Sequence, residues 1–256
     1  MGRKTIDRTN EEGYNNKGSL MRIINYKNSK DIDIYFPKYN WIIEHQQYNN
    51  FKIGNIKCPY DASVYGVGFI GEGDGIVSVD GKETKQYSHW SNMLERCYNS
   101  KYQQRQLTYI DCSVCEEWYN YQNFYEWFNE NYYEIPGEKM HLDKDILIKD
   151  NKEYGPDTCI FAPQKINSLF KRDSRYKGGL PTGVDFNKKI NKYVAHCGDN
   201  NGKLIHLGCF DNPIDAFNVY KEYKEELVKR VANEYRNLIP TELYDAMYNW
   251  EVDIFI

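Results

Sequence analysis

The sequence predicts a multi-domain α+β chain, and three observations predict it. Hydrophobic residues alternate with period two in the first third, switch to helical spacing in the middle, and end as three short alternating segments followed by one long apolar stripe. At 256 residues the chain exceeds one small domain. Its 24 Tyr supply core-forming bulk, while 18 Gly and 8 Pro are ordinary, so disordered and collagen-like classes are excluded.

The first third reads as a small β module over residues 1–65. LMRIINY, DIDIYF, NWIIE and FKIGNIKCP form short alternating runs broken by Lys-Asn-Ser, Pro37 and Gly54, which predicts a little barrel or curled antiparallel sheet over 18–60. Residues 66–85 follow as a Gly-rich linker with one hairpin. Gly66, Gly68, Gly71, Gly73 and Gly75 suggest a phosphate loop, but no long helix opens behind them to receive a phosphate, so a linker is the better reading.

Residues 86–175 form the third segment. Trp90, Met93, Leu94 and Cys97 lie on one helical face, and Trp118, Tyr121, Phe124, Tyr125 and Phe128 on another. Such an aromatic stripe serves either as core or as a platform on which bases stack, with core the commoner use. HLDKDILI then reads as a strand over 141–148, TCIFAP as a second, and QKINSLFKR as a helix: strand, loop, strand, helix within about thirty residues. In residues 176–256, RYKGGLPTGVDF, KKINKYVAHC and NNGKLIHLGCF predict a three-stranded meander. Asn212 caps a helix with Pro213 at its first position and Asp215 in its first turn. Ala216, Tyr220, Tyr223, Leu227 and Val231 stripe that helix to about Tyr235, and TELYDAMYNW makes a shorter one after Pro240.

Composition limits the function classes. No window approaches the roughly 18 apolar residues of a membrane span, and MGRKTIDRTNEEG has no apolar signal region, so a soluble chain with no membrane partner is expected. Seven cysteines, an odd number, point to a reducing compartment. With 33 Lys+Arg against 37 Asp+Glu the net charge is −4, so any contact with nucleic acid must come from local patches.

The middle third resembles the HNH endonuclease family of phages, in the branch with a helical Trp…Arg-Cys-Tyr element ahead of its ββα-metal motif. The matching stretches are WSNMLERCYN, CSVCEEWYNYQNF and LDKDILIKDNKEYGPDTCIFAPQKIN. The last third resembles the ethylene-response-factor (APETALA-like) type of DNA-binding domain, through GV, KYVAHC and NGKLIHLGCFDNPIDAFNVYKEY. Together they cover roughly residues 86–236, and the N-terminal β unit is similar to a module found ahead of HNH regions. The resemblance implies a phage-encoded, homing-endonuclease-like protein in the bacterial cytoplasm that cuts double-stranded DNA with Mg2+ or Mn2+.

Carried over residue by residue, the metal-binding Asp falls on Asp143 and the helix ligand on Asn167. The general-base His falls on Lys144 and the Asn that orients it on Thr158, two departures from the pattern. Asp143 and Asp145 flank Lys144 and keep it protonated, which suits phosphate contact better than base catalysis. His141, two residues before Asp143, shares its strand face, as does Asp145, so His141, Asp143 and Asp145 make an alternate-residue constellation able to bind a metal with Asn167. The other reading is a solvated strand face left when an ancestral nuclease lost its base.

Cys112 and Cys115 have zinc spacing, and Cys97 and Cys159 would complete a four-thiolate structural site; buried core thiols are the alternative. On the last meander Lys192, Val194 and His196 face outward if Tyr193, Ala195 and Cys197 face the helix. His206 then joins the outward side and Lys188 and Lys189 sit at the turn. The resembled domain reads bases with Arg and Trp, which these strands lack, so phosphate contact is expected more than base readout. The competing class is a non-enzymatic regulator or counter-defence factor that binds DNA or, through a tyrosine-rich acidic surface, a host protein.

Overall fold

The period-two runs at the N-terminus become strands because alternate side chains reach one buried face. A computed structural model describes residues 6–170 and 179–254. Strands β1 (Glu12–Tyr14), β2 (Leu20–Asn28), β3 (Asp31–Phe36) and β4 (Trp41–Gln46) pair antiparallel in the order β1-β2-β3-β4. Met21, Ile23, Ile32, Ile34 and Phe36 are fully buried on one face. The result is the curled sheet rather than the barrel, bent by bulges in both the β2–β3 and β3–β4 pairings.

FKIGNIKCP is not a strand. Phe51 enters the core at the end of α1 (Tyr48–Lys52) and Ile56 enters it five residues on, while Ile53 between them is exposed. That spacing is incompatible with a pleated segment.

The chain divides into two compact units, Met1–Glu130 and Asn131–Ile256, so the boundary falls inside the 86–175 segment. In the first unit the Gly-rich stretch is held by a side chain. Buried Gln122 donates from Nε2 to the carbonyls of Ile70 (3.0 Å) and Gly75 (3.3 Å), and its Oε1 accepts from Gly75 N–H at 2.7 Å. Gly71 has φ +71°, and a Cβ there would lie 2.1 Å from Asn120 Oδ1. The glycines therefore admit a close backbone approach.

The expected hairpin follows as β5 (Ser78–Val79) and β6 (Lys82–Glu83), turned by Asp80-Gly81. Thr84 then caps α2 (Lys85–Tyr98), accepting from Tyr87 N–H. Next come α3 (Ser100–Arg105), the extended pair β7 (Ser113–Val114) and α4 (Tyr121–Asn131). Trp90, Trp118, Tyr121 and Phe124 are fully buried and Phe128 nearly so, and Trp90 Nε1–H donates to the Trp118 carbonyl at 2.7 Å. Of the two readings of the aromatic stripe, core is correct for these rings, which have no face left for a base, while Tyr125 at the stripe's edge is half-buried.

In the second unit β8 (Met140–Asp143) pairs antiparallel with β10 (Ile160–Pro163), and β9 (Glu153–Tyr154) lies in the loop between them. Helix α5 (Gln164–Asn167) follows β10 directly, and a 3-10 turn continues to Phe170; Lys171 and Arg172, read as part of this helix, lie outside the described residues. Gln164 N–H donates to the Lys139 carbonyl at 2.8 Å, fastening the helix start to the foot of β8.

Strands β11 (Val184–Asn187), β12 (Lys192–Gly198) and β13 (Leu204–Phe210) form the antiparallel meander. Helix α6 (Pro213–Tyr235) packs on it, with Asn212 Oδ1 accepting from Ile214 N–H at 2.8 Å. Buried Ala216, Phe217, Leu227, Val228, Val231 and Ala232 make its apolar face, and α7 (Thr241–Tyr248) packs against the same helix. No helix among the described residues is long and apolar enough to cross a membrane.

Candidate metal and nucleic-acid sites

The order β8, loop, β10, α5 sets the first candidate site. Met140 and Leu142 are buried, which leaves His141 and Asp143 together on the other face of β8, as the alternation predicts. Helix α5, whose last residue is the half-buried Asn167, packs against both strands.

The strand itself ends at Asp143 rather than running to 148. Asp143 Oδ1 accepts from the backbone N–H groups of Asp145 and Ile146, each at 2.9 Å, and this side-chain cap turns the chain out of the sheet. Asp145 consequently lies beyond the strand and does not share its face. Burial of the Asp143 carboxyl raises its pKa to about 7, Asp145's charge adds to the rise, and the two N–H donors oppose it.

Lys144 corrects a second expectation. Only 6% exposed, it points inward instead of toward a phosphate. Its Nζ donates to Asp145 Oδ2 at 3.0 Å and to the Asn151 carbonyl at 2.8 Å, beside the Tyr154 ring. Asn151 Nδ2–H reciprocates, donating to the Lys144 carbonyl at 2.7 Å. Thr158, where an orienting Asn was expected, donates from its hydroxyl to the Glu153 carbonyl at 2.9 Å. The two departures from the nuclease pattern thus both close the loop between β8 and β10. A cleft of about 460 Å³ nearby is lined by Leu147, Asp157, Cys159, Phe161 and Glu242, among others, and includes none of His141, Asp143, Asp145 or Asn167.

The second candidate surface is the outer face of the meander. Ala195 and Cys197 are buried toward α6, and burial pushes the Cys197 thiol pKa up. His196 faces the other way and pairs across the strands with exposed His206, as the alternation predicts. His196 Nε2 lies 3.1 Å from Asp185 Oδ2, and Lys192 Nζ lies 2.6 Å from Asp211 Oδ1. Lys188 and Lys189 are exposed on the turn between β11 and β12. A bulge between Ala195 and His196, opposite the stretch containing Gly208, bends the face.

No family model matches this chain, and no curated protein or solved structure matches it significantly.

The cysteines divide between the units. Cys97 is buried on α2, which packs against β7, and Cys112 and Cys115 bracket that strand; Tyr98 Oη accepts from Val114 N–H at 3.1 Å and ties helix to strand. Cys159 belongs to the second unit, at the start of β10.

Sequence reasoning missed one group. Among the described residues, Asp31, Asp33 and His45 bring one ligand atom each to within 4.8 Å of one another on the N-terminal sheet. The alternation Asp-Ile-Asp announces two carboxylates on one strand face. The arrival of His45 depends on a bulge that hydropathy does not encode.

Proposed function

We propose that the chain is a DNA-binding protein with a metal-dependent endonuclease site of the ββα type, homing-endonuclease-like in kind. The observation that carries this reading is the strand–loop–strand–helix order of residues 140–167, with His141 and Asp143 on one face of β8. The donor chemistry fits Mg2+ or Mn2+: Asp143 and Asp145 crowd two carboxylates together, a repulsion that a divalent cation relieves. Bound there, the cation would polarise a phosphate and stabilise the departing oxygen. Asp143 and Asn167 would hold it. The proton-taking role falls to His141, which shares the β8 face with Asp143, rather than to Lys144, whose amine is committed to Asp145 and Asn151.

DNA contact falls to the C-terminal meander. On its strand face Asp211 pairs with Lys192 and Asp185 lies beside His196, so the cationic contribution comes first from Lys188 and Lys189 on the turn. These contact phosphates and give position rather than sequence readout, with His196 and His206 on the flanking face.

A second reading is a non-enzymatic descendant, acting as a regulator or counter-defence factor on DNA or on a host protein. The observation that favours it is the same Lys144, which fills the place of the base and seals the loop.

A plasmid-nicking assay in Mg2+ and in Mn2+ separates the two. The nuclease reading expects nicking that Asp143→Ala abolishes and His141→Ala lowers by roughly two orders of magnitude or more. Silence of the unmodified protein in both metals overturns it in favour of the second reading. In the same preparation Lys188→Glu with Lys189→Glu should weaken DNA binding and flatten its dependence on salt by roughly two phosphate contacts. Binding unchanged by this pair removes the turn from the interface.

A further inference from the structure

The N-terminal sheet spends three irregularities on one small area. Between β2 and β3 the register slips around Ile24 and again around Lys27, and between β3 and β4 it slips opposite Asp33, where Glu44 and His45 together face one residue. Bulges re-aim side chains. Here they turn Asn25, Lys27 and His45 toward Asp31 and Asp33.

His45 has φ +57°, an unusual conformation for a residue with a side chain. Its backbone N–H donates to Asp33 Oδ1 at 3.1 Å, while Nδ1 of its ring lies 3.0 Å from Asp31 Oδ1. Asp33 is only 8% exposed, and Asn25 Nδ2–H donates to its Oδ2 at 2.8 Å. Lys27 Nζ sits 3.3 Å from Asp31 Oδ2, and Glu44 Oε2 lies 4.0 Å from His45 Nε2. One imidazole nitrogen and two carboxylate oxygens thereby converge within 4.8 Å, with a third carboxylate beside them.

We infer that Asp31, Asp33 and His45 form a divalent-cation site of mixed nitrogen and oxygen donors. The chemistry selects the class of ion. An imidazole with two carboxylates suits Mn2+ or Zn2+, whereas Mg2+ and Ca2+ prefer all-oxygen sets. The ammonium of Lys27 occupies the place beside Asp31 that such an ion would claim, so Lys27 is a built-in competitor: binding displaces it and frees the Asp31 oxygen. The site is separate from the one proposed at Asp143 and does not depend on it.

The test uses Mn2+, which avoids thiolate sites, titrated into the 256-residue chain and followed by its electron paramagnetic resonance. The expected result is a site that His45→Ala weakens by roughly tenfold or more and that Lys27→Ala tightens. His45 is 70% exposed, so its replacement leaves the sheet intact, and circular dichroism verifies this. Asp143→Ala should leave the site unchanged. Mn2+ affinity indifferent to both His45→Ala and Lys27→Ala overturns the inference, as does a signal that disappears only in Asp143→Ala. Failure here leaves the nicking result standing, and the reverse holds equally.

Discussion

At Asp143 a carboxyl is raised from an ordinary 3.8 to about 7, and the sign of its effect on stability follows from that direction. The folded state binds this proton more tightly than the unfolded chain, so the favourable contribution is whole below about pH 4 and is lost as pH rises through 7. In metal-free buffer Asp143→Asn, which keeps an oxygen for the Asp145 and Ile146 N–H groups, should gain on the order of 2 kcal/mol at pH 8, after discounting for the coupling to Asp145. Urea unfolding at pH 5 and pH 8 reads it. Equal stability gains at both values would show that the neutral carboxyl is not what the site favours. Lys144 illustrates the limit of reading such a site by sequence. Its flanking carboxylates mark a charged neighbourhood, yet local charge says nothing of whether the stem points out or in. The closure of the β8–β10 loop, with Asn151 returning to the Lys144 carbonyl, decided that.

Elements were legible where a cap or a stripe marks them. Helix α6 begins where Asn212-Pro213 predicts and ends at Tyr235, because its capping residue, its proline and its apolar face all point to the same answer. Strand β8 was misjudged by five residues because hydropathy continues through Ile146 and Ile148 while the Asp143 side chain ends the ladder. The FKIGNIKCP stretch deceived for the opposite reason: its apolar residues mimic alternation, but Phe51 belongs to α1, Ile53 is exposed, and Ile56 and Cys58 reach the core from a segment that pairs with no strand. The glycine segment offers a controlled comparison. Gly71 and Gly81 share a left-handed backbone, at φ +71° and +74°, but an added Cβ meets Asn120 at 2.1 Å in the first and nothing within 4 Å in the second. Gly81→Ala should therefore cost about 1 kcal/mol and Gly71→Ala at least about twice that, the excess measuring the close approach. Matching losses in thermal unfolding would mean that Asn120 simply moves aside.

On the scale of the whole molecule, the α+β class was legible because the change of hydrophobic period survives any error at element ends. The division after Glu130 was not, since the sequence around it carries no linker composition; the composition that does look like a linker lies at residues 66–75. That stretch is the feature with the widest consequence. Its carbonyls at Ile70 and Gly75 and the Gly75 amide are taken by Gln122, and Phe69 bonds to the backbone of Tyr119 and Tyr121. A peptidase must draw a segment out into an extended form before cutting it, and this one is already spoken for. Limited proteolysis should accordingly spare residues 66–75 despite their glycines, and Gln122→Ala should turn the same peptide bonds into the preferred point of cleavage. Early cutting there in the unaltered protein would refute this. What composition presents as a flexible tether is, to an enzyme that hunts for loose chain, a closed door with one amide as its latch.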